Sequence, residues 1–232
     1  LFRSRANVPA SFMRRAKDSA NRNLSALKAA LNLALRDRLI ATDAGWKTVT
    51  AYAKVGRRRK GFIHAEQRAK LIEACPEDLG VLVKALLLTG ARPGELAAAK
   101  VQDFNRRQGT LALAGKTGYR IVTLSTAAIG FFSEQIKDRI GNAPLLPTEF
   151  GKAWNKDAWK KPFKQAVKDA GLPADIVLYS LRHTAISELI ADGMDSFIVA
   201  QLAGTSTAMI DKHYGHLRHD KTRARLDAVA ML

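Results

Sequence analysis

The chain has 232 residues, and 38 lysines and arginines against 21 aspartates and glutamates give it a formal net charge of +17. With 47% hydrophobic and 25% charged residues, the composition excludes a disordered basic tail and indicates a folded protein whose surface suits a polyanion, either nucleic acid or an anionic membrane surface. The single cysteine, Cys75, excludes an internal disulfide framework and a cysteine zinc site, no apolar run reaches the ~20 residues of a membrane span, and the first residues lack the apolar core of a signal peptide.

The N-terminal part of the chain predicts two helices. Leucines recur at helical spacing over residues 21–39, which indicates an amphipathic helix that Ser19 can cap, and a shorter helix is predicted over 8–17. Two helices leave too much apolar surface exposed to form a stable domain alone. We therefore expect residues 1–53 to pack on the rest of the chain or on a segment outside this sequence.

Most of the excess charge lies near the start of the chain. The first 60 residues include 15 basic and 3 acidic side chains, a net charge of +12. A dense basic run ends this part and predicts a linker over residues 54–61; its members are Lys54, Arg57, Arg58, Arg59 and Lys60. Such a run is typical either of a DNA-contacting linker or of a solvated loop without a ligand, and the run alone leaves both open.

The remaining residues, 62–232, predict a second domain that is mainly helical. Helices are expected over 65–74, 78–89, 93–99, 126–140, 156–170, 180–192, 196–203, 206–213 and 219–230. Alternating residues at 109–115 and 119–124 predict a β-hairpin with Lys116 at its tip. Because strands do not alternate with helices, we predict a mainly α fold with a small antiparallel β-sheet, of the α+β class.

The first of three motifs with possible chemistry lies at a helix junction. Gly90 follows an apolar helix, and Arg92 precedes Pro93, a residue suited to the first turn of a new helix. Backbone N–H groups at such a helix start can hold a phosphate beside the arginine. Taken alone, the motif also fits a surface arginine, or an arginine paired with a nearby acid such as Glu95.

The other two motifs lie in the last third of the chain. Residues 179–184 open a helix in which Arg182 and His183 are adjacent and so point in different directions. Residues 202–216 place Tyr214 after a short helix, between two histidines. Each motif alone also fits a purely structural role. The first could be a polar helix start, and the second could contain a tyrosine that only packs.

Together and in this order, the motifs resemble those of the tyrosine recombinases, the integrase family that cuts and rejoins DNA through a phosphotyrosine. The matching elements are T-G-x-R-x-x-E at Thr89, Gly90, Arg92 and Glu95, the hairpin Lys116, the R-H-T helix start at Arg182, His183 and Thr184, and Y-x-H at Tyr214 to His216. The resemblance covers the whole chain. It implies that residues 62–232 form the catalytic domain and that residues 1–53 are part of a helical core-binding domain whose first half lies outside this sequence.

The resemblance also implies roles for these residues. Arg92 and Arg182 would clamp the scissile phosphate, since arginine binds phosphate bidentately and stays charged. Tyr214 would be the nucleophile that forms a covalent 3′-phosphotyrosyl link, and Lys116 the general acid for the leaving oxygen. Glu95 would orient the arginines, and His183 would be a second supporting residue. Neither metal nor ATP is implied, and the sequence holds no phosphate-binding glycine loop or clustered metal ligands.

Two positions depart from the family pattern. Tyr179 stands where most members have histidine, and Thr205 where they have histidine or tryptophan. Both side chains can donate a hydrogen bond to a phosphate. A phenol, which ordinarily ionises near pH ~10, is a poor general base at neutral pH. These changes bear on the rate and the proton path.

The implied function is site-specific recombination by an integrase of a phage or genomic island, acting on double-stranded DNA in the cytoplasm of a bacterial host. We expect a homotetramer on DNA, assembled through the segment 219–230, with accessory DNA-bending proteins as further partners and no membrane partner. The sequence leaves three alternatives open. They are a DNA-binding protein of the same fold with impaired catalysis, an RNA-binding or ribosome-associated basic protein, and an enzyme that relaxes supercoils by the same chemistry.

Overall fold

The computed structural model describes residues 9–53, 55, 61–115, 118–218 and 227. The chain divides into two compact units, Leu1–Arg59 and Lys60–Leu232. The hairpin residue Lys116 and the basic run of Lys54, Arg57, Arg58, Arg59 and Lys60 lie outside the described residues. The predicted helix over 219–230 also lies outside them, apart from residue 227.

The first unit consists of α1 (Ala10–Arg36), α2 (Ala44–Lys47) and a following extended segment. The predicted break between two helices is wrong, because α1 runs without interruption and Ser19 lies inside it. No proline or glycine interrupts this stretch, and the polar residues there lower helix propensity by only ~0.5 kcal/mol each. Asn21 in α1 holds the extended segment by donating to the Tyr52 carbonyl at 3.0 Å and accepting from the Tyr52 N–H at 2.8 Å.

The second unit contains eight α-helices, two 3-10 helices (Val101–Asp103 and Gly215–Arg218) and a three-stranded sheet among its described residues. The helices are α3 (Ala65–Glu73), α4 (Glu77–Thr89), α5 (Pro93–Ala98), α6 (Thr126–Gln135), α7 (Lys156–Asp169), α8 (Leu178–Ala191), α9 (Ser196–Ala203) and α10 (Thr207–Tyr214). The strands β1 (Phe104–Asn105), β2 (Thr110–Gly115) and β3 (Gly118–Thr123) form an antiparallel sheet in the order β1-β2-β3. The predicted mainly α fold with a small antiparallel sheet is confirmed.

The sheet register fixes which side chains of the hairpin face the core. Gly115 pairs with Gly118, and Leu111 pairs with Val122. Leu111 and Val122 are buried, whereas Tyr119 and Ile121 on β3 are exposed. Because side chains alternate along a strand, Arg120 points to the same inward face as Val122.

Two hydrophobic clusters organise the second unit. The larger one surrounds α4, whose Leu79, Leu82 and Leu86 are fully buried. The smaller one joins α8, α9 and α10; it consists of Ile186, Ile190, Val199, Ala200, Ala203, Ile210 and Tyr214. The tyrosine ring is therefore a packing element, which fixes the position of its hydroxyl.

Some predicted helix boundaries differ from the structure. The helix predicted over 126–140 ends at Gln135; Asp138 has a positive φ of 57°, which a continuing right-handed helix does not allow, and the Arg139 side chain donates to the Gln135 carbonyl at 2.9 Å. α8 begins at Leu178, two residues before its predicted start, so Tyr179 lies inside it. No helix within the described ranges is long and apolar enough to cross a membrane.

Candidate active site

Arg92 is fixed at the junction between α4 and α5. α4 ends at Gly90, which adopts the left-handed conformation with φ of 60°, a conformation that favours glycine. Pro93 then starts α5, and the Arg92 backbone N–H donates to Glu95 Oε2 at 3.0 Å. The same glutamate accepts the Arg92 side chain, through Nη1 at 2.7 Å. The local sequence thus fixes the positions of both the backbone and the guanidinium of Arg92.

Glu95 is a buried carboxylate shared by two arginines. Its Oε1 accepts Arg92 Nη1 and Arg120 Nη1, each at 2.7 Å. Burial by itself raises the pKa of Glu95, but the hydrogen bonds from Arg120 and Arg92 outweigh it and hold the pKa below its ordinary value. Glu95 is therefore ionised at neutral pH.

Arg120 is the residue of this cluster that the sequence analysis missed. Its Nε and Nη2 are buried and have no hydrogen-bond partner among the described residues. The signal was present in the pattern of β3, where an arginine occupies an inward position flanked by two apolar residues that face outward. A charged side chain at an inward strand position implies a buried partner of opposite charge, which here is Glu95.

A main-chain carbonyl at the end of α9 also holds Arg92. Gly204 has φ of 62°, its N–H bonds to Gln201 O, and the Thr205 N–H bonds to Ala200 O at 2.9 Å, the hydrogen bonds of a Schellman motif. The Gly204 carbonyl accepts Arg92 Nη2 at 2.6 Å. A Cβ at position 204 would lie 2.7 Å from the Arg120 guanidinium carbon, so the close approach also requires glycine.

Arg182 is anchored in the same way as Arg92. Its side chain is buried, and Nη1 donates to the carbonyl of Gly90 at 2.8 Å. Burial is the main cause that lowers the pKa of Arg182, although an arginine stays protonated at neutral pH. Each arginine therefore binds the carbonyl of a left-handed glycine at a helix C-terminus, where a positive charge is favoured.

The Tyr214 hydroxyl is bonded to a histidine. Tyr214 is the last residue of α10 and is 8% exposed. Its hydroxyl forms a hydrogen bond with Nδ1 of His183, and the two rings lie 5.8 Å apart between centroids. Burial raises the pKa of Tyr214 to about 12, although the nearby Arg182 acts to lower it. The hydroxyl is thus protonated at neutral pH.

The two positions that depart from the family pattern lie beside these groups. Tyr179 packs edge-on against His183, with ring centroids 5.3 Å apart. It also lines a cavity of about 730 Å³ together with Arg92, Glu95 and Lys156. Thr205 is half-buried and directly follows Gly204, the residue that holds Arg92.

The structure brings several of the predicted catalytic and supporting residues into contact in pairs. Arg92 contacts Glu95, His183 contacts Tyr214, and the charge of Arg182 is near enough to act on the Tyr214 hydroxyl and on Arg92. Lys116 lies outside the described residues, and its neighbour Gly115 lines the cavity. Within the described ranges, no cluster of three or more histidine, cysteine, aspartate or glutamate side chains is arranged to hold a metal ion.

Solved structures of recombinases share this fold. The chain is similar to the Tn1549 transposon integrase in complex with transposon right end DNA, with a TM-score of 0.71 and 17% identity over 98% of this chain and 87% of that one. It is also similar to a lambda integrase dimer bound to a core site, with a TM-score of 0.64 and 21% identity over 83% of this chain and 74% of that one. The predicted tyrosine-recombinase fold is confirmed.

Sequence comparison identifies the family. Residues 61–221 match the phage integrase family, and the chain belongs to this family. It is 29% identical over 224 residues to tyrosine recombinase XerD of Pseudomonas aeruginosa, covering 90% of this chain and 72% of the relative. It is 26% identical over 215 residues to tyrosine recombinase XerC of Pelobacter propionicus, covering 88% and 70% respectively.

Proposed function

We propose that the protein is a site-specific DNA recombinase that cleaves and rejoins DNA strands through a covalent 3′-phosphotyrosine at Tyr214. The observation that carries this proposal is the arrangement around the tyrosine. Arg92 at the start of α5 and Arg182 in α8 are each anchored on a glycine carbonyl and lie close enough for their charges to interact, and Arg182 also acts on the Tyr214 hydroxyl. Two fixed guanidiniums close to each other, one of them near a tyrosine hydroxyl, suit the binding and attack of a phosphodiester.

The chemistry assigns one task to each group. The Tyr214 oxygen attacks phosphorus, the bond to the 5′ oxygen breaks, and Lys116 gives that oxygen its proton. Arg92 and Arg182 stabilise the negative charge that develops on the non-bridging oxygens. Tyr179 and Thr205 contribute hydrogen-bond donors to the same phosphate. The new ester retains the energy of the phosphodiester, so a second 5′ hydroxyl can reverse the step without ATP or a metal ion.

The glycine anchors prepare the arginines for this task. In the unliganded protein, one nitrogen of each guanidinium is already bonded to a main-chain carbonyl, at 2.6 Å for Arg92 and 2.8 Å for Arg182. Side chains held in place lose little further freedom when the phosphate binds, and their charges need no reorganisation in the transition state. Loss of either arginine should lower the cleavage rate by about 10²-fold or more.

The surface beside the cavity supports double-stranded DNA as the partner. α7 buries Phe163, Ala166 and Val167 and exposes a row of lysines; these are Lys156, Lys160, Lys161, Lys164 and Lys168. Lys156 also lines the cavity, so the positive surface continues into the site. We assign this face, with the basic linker and the N-terminal residues, to the DNA backbone. Assembly as a tetramer through residues 219–230, on DNA in a bacterial host, belongs to the same proposal.

A trapping experiment tests the reaction. The full chain is incubated with nicked duplexes of randomised sequence, in which cleavage releases a short strand and prevents rejoining, and covalently attached DNA is recovered under denaturing conditions. We expect adducts with the wild-type protein and none with Tyr214→Phe, which keeps the packed ring. Adducts from both proteins, or from neither while both bind the duplexes, would contradict the proposal.

A second candidate is a DNA-binding protein of the same fold with impaired catalysis. It is motivated by Tyr179 and Thr205, which replace an imidazole or indole by side chains that donate a hydrogen bond but carry no charge. This candidate predicts duplex binding with a steep salt dependence and no adduct from the wild-type protein. The trapping experiment therefore separates the two candidates.

A further inference from the structure

The hydrogen bond between His183 and Tyr214 is a feature that the assigned reaction leaves unused. α8 directs Arg182 to the Gly90 carbonyl and the adjacent His183 to the hydroxyl at the end of α10. Nδ1 is the ring nitrogen in contact with Tyr214 Oη. The nucleophile thus already touches a side chain that can accept a proton.

The reaction requires such an acceptor. Burial holds the pKa of Tyr214 at about 12, so about one hydroxyl in 10⁵ is ionised at neutral pH. Attack by the phenol must therefore be accompanied by transfer of its proton to another group. An arginine side chain cannot accept it, and Lys116 is assigned to the leaving oxygen.

The helix geometry explains why His183 can serve where Tyr179 does not. Residues 179 and 183 are four apart and lie on the same face of α8, one turn from each other, and their rings are in edge contact. A phenol is a poor general base at neutral pH. An imidazole one turn later on that face still reaches the tyrosine hydroxyl, as the hydrogen bond demonstrates.

We propose that His183 is the general base that activates Tyr214. In the resting enzyme Nε2 carries the ring proton, and the lone pair of Nδ1 faces the hydroxyl. Nδ1 takes the proton from Tyr214 Oη as the bond to phosphorus forms, while the departing 5′ oxygen takes its proton from the general acid. During rejoining the imidazolium returns the proton to Oη as the phosphotyrosine bond breaks. This inference rests on the proposed function.

Two substitutions distinguish a base from a positioning residue. His183→Asn places an amide oxygen or nitrogen near the position of Nδ1, so it can keep a hydrogen bond to the tyrosine but cannot take the proton. His183→Ala removes both the hydrogen bond to the tyrosine and the proton acceptor, and it leaves room for added imidazole. His213→Asn is the matched control, because the His213 ring packs against the same tyrosine at 6.4 Å between centroids. Thermal unfolding and duplex affinity verify that each variant is folded.

The measurement is the rate of adduct formation with a nicked duplex recovered in the trapping experiment. We expect both His183 variants to be slower by about 10²- to 10⁴-fold, with His213→Asn at the wild-type rate. Added imidazole should restore the Ala variant and not the Asn variant, and more basic substituted imidazoles should restore it further. A wild-type rate for His183→Asn, or no rescue of His183→Ala, overturns the inference while leaving the proposed function intact. Failure of the wild-type protein to form adducts overturns both.

Discussion

At the scale of single residues, Glu95 connects the parts of the site. Its two oxygens accept the backbone and side chain of Arg92 and the side chain of Arg120. A buried carboxylate is tolerated only when it is fully paired. Arg92 is thus held between the α5 start, the β-hairpin and, through Gly204, the end of α9.

The pairing of Glu95 predicts a pH dependence of stability. Because the folded-state pKa is lower than the ordinary value, the ionised carboxylate stabilises the fold above the pKa of the unfolded chain. This contribution disappears as the pH falls below about 4. We expect Glu95→Gln to unfold at lower denaturant concentration at pH 7 and to lose less stability than the wild type between pH 6 and pH 3. If denaturant unfolding shows that the two proteins lose the same unfolding free energy between pH 6 and pH 3, the pairing is contradicted.

Gly204 predicts a second effect on stability and rate. Alanine there meets both the left-handed backbone and the Arg120 guanidinium, 2.7 Å from the Cβ position. Gly151 also has a positive φ, of 71°, but has nothing within 4 Å, so Gly151→Ala is the matched control and should cost about 1 kcal/mol. We expect Gly204→Ala to cost more and to slow adduct formation, since its carbonyl holds Arg92. Equal unfolding free energies and rates for the two variants would contradict this role.

The sequence predicted the directions of some of these side chains, but not which residues they contact. The divergent directions of Arg182 and His183 followed from their adjacency on a helix, and the structure sends them to Gly90 and Tyr214. The contact between Arg120 and Glu95 joins residues 25 apart, and no local pattern defines such a pair. The roles of these residues in catalysis stay predictions.

At the scale of elements, α7 and α8 have different tasks in the proposed enzyme. α8 carries Tyr179, Arg182 and His183 within five positions, so one helix presents three groups to the site. α7 contributes charge, because its buried face packs on the core and its lysines stay exposed. In the proposed enzyme, α8 therefore contributes groups to the chemistry, and α7 binds the DNA backbone.

This division predicts the salt dependence of DNA binding. We expect Lys160→Gln combined with Lys164→Gln to weaken duplex binding and to reduce the slope of log affinity against log salt by about 2, since each phosphate contact contributes ~0.9. The control is Lys84→Gln with Lys137→Gln, which removes the same charge from α4 and from the turn after α6 and should reduce the slope less. Fluorescence anisotropy titrations across salt concentrations measure both. An equal reduction in the two double variants would contradict a specific role for α7.

Element boundaries were predictable where the sequence contains a stop or start residue. Gly90 and Pro93 bound α4 and α5 as expected, and Gly204 ends α9. The two-residue strand β1 lacks an alternating pattern and was not predicted; it exists because Phe104 pairs with Leu111. α6 ends before a turn in which Asp138 has a positive φ and the Arg139 side chain bonds to the Gln135 carbonyl, features that periodicity does not reveal.

At the scale of the whole molecule, the charge of +17 has two kinds of role in the proposed enzyme. A few cations are fixed in or beside the site, where Arg92 and Arg120 share Glu95 and Arg182 binds Gly90. The remaining basic residues, on α7 and in the first 60 residues, provide a diffuse field for a polyanion. The composition predicted a polyanion as the partner. The positions of the fixed cations could be seen only in the folded structure.

Locating the covalent bond tests the central proposal most directly. Wild-type adducts from the trapping experiment are digested with nuclease and protease, and the peptides that carry a nucleotide are sequenced by mass spectrometry. The account predicts a nucleotide linked to Tyr214, with no modified peptide from Tyr214→Phe. A nucleotide on another residue, or DNA bound tightly without any modified peptide, would contradict it.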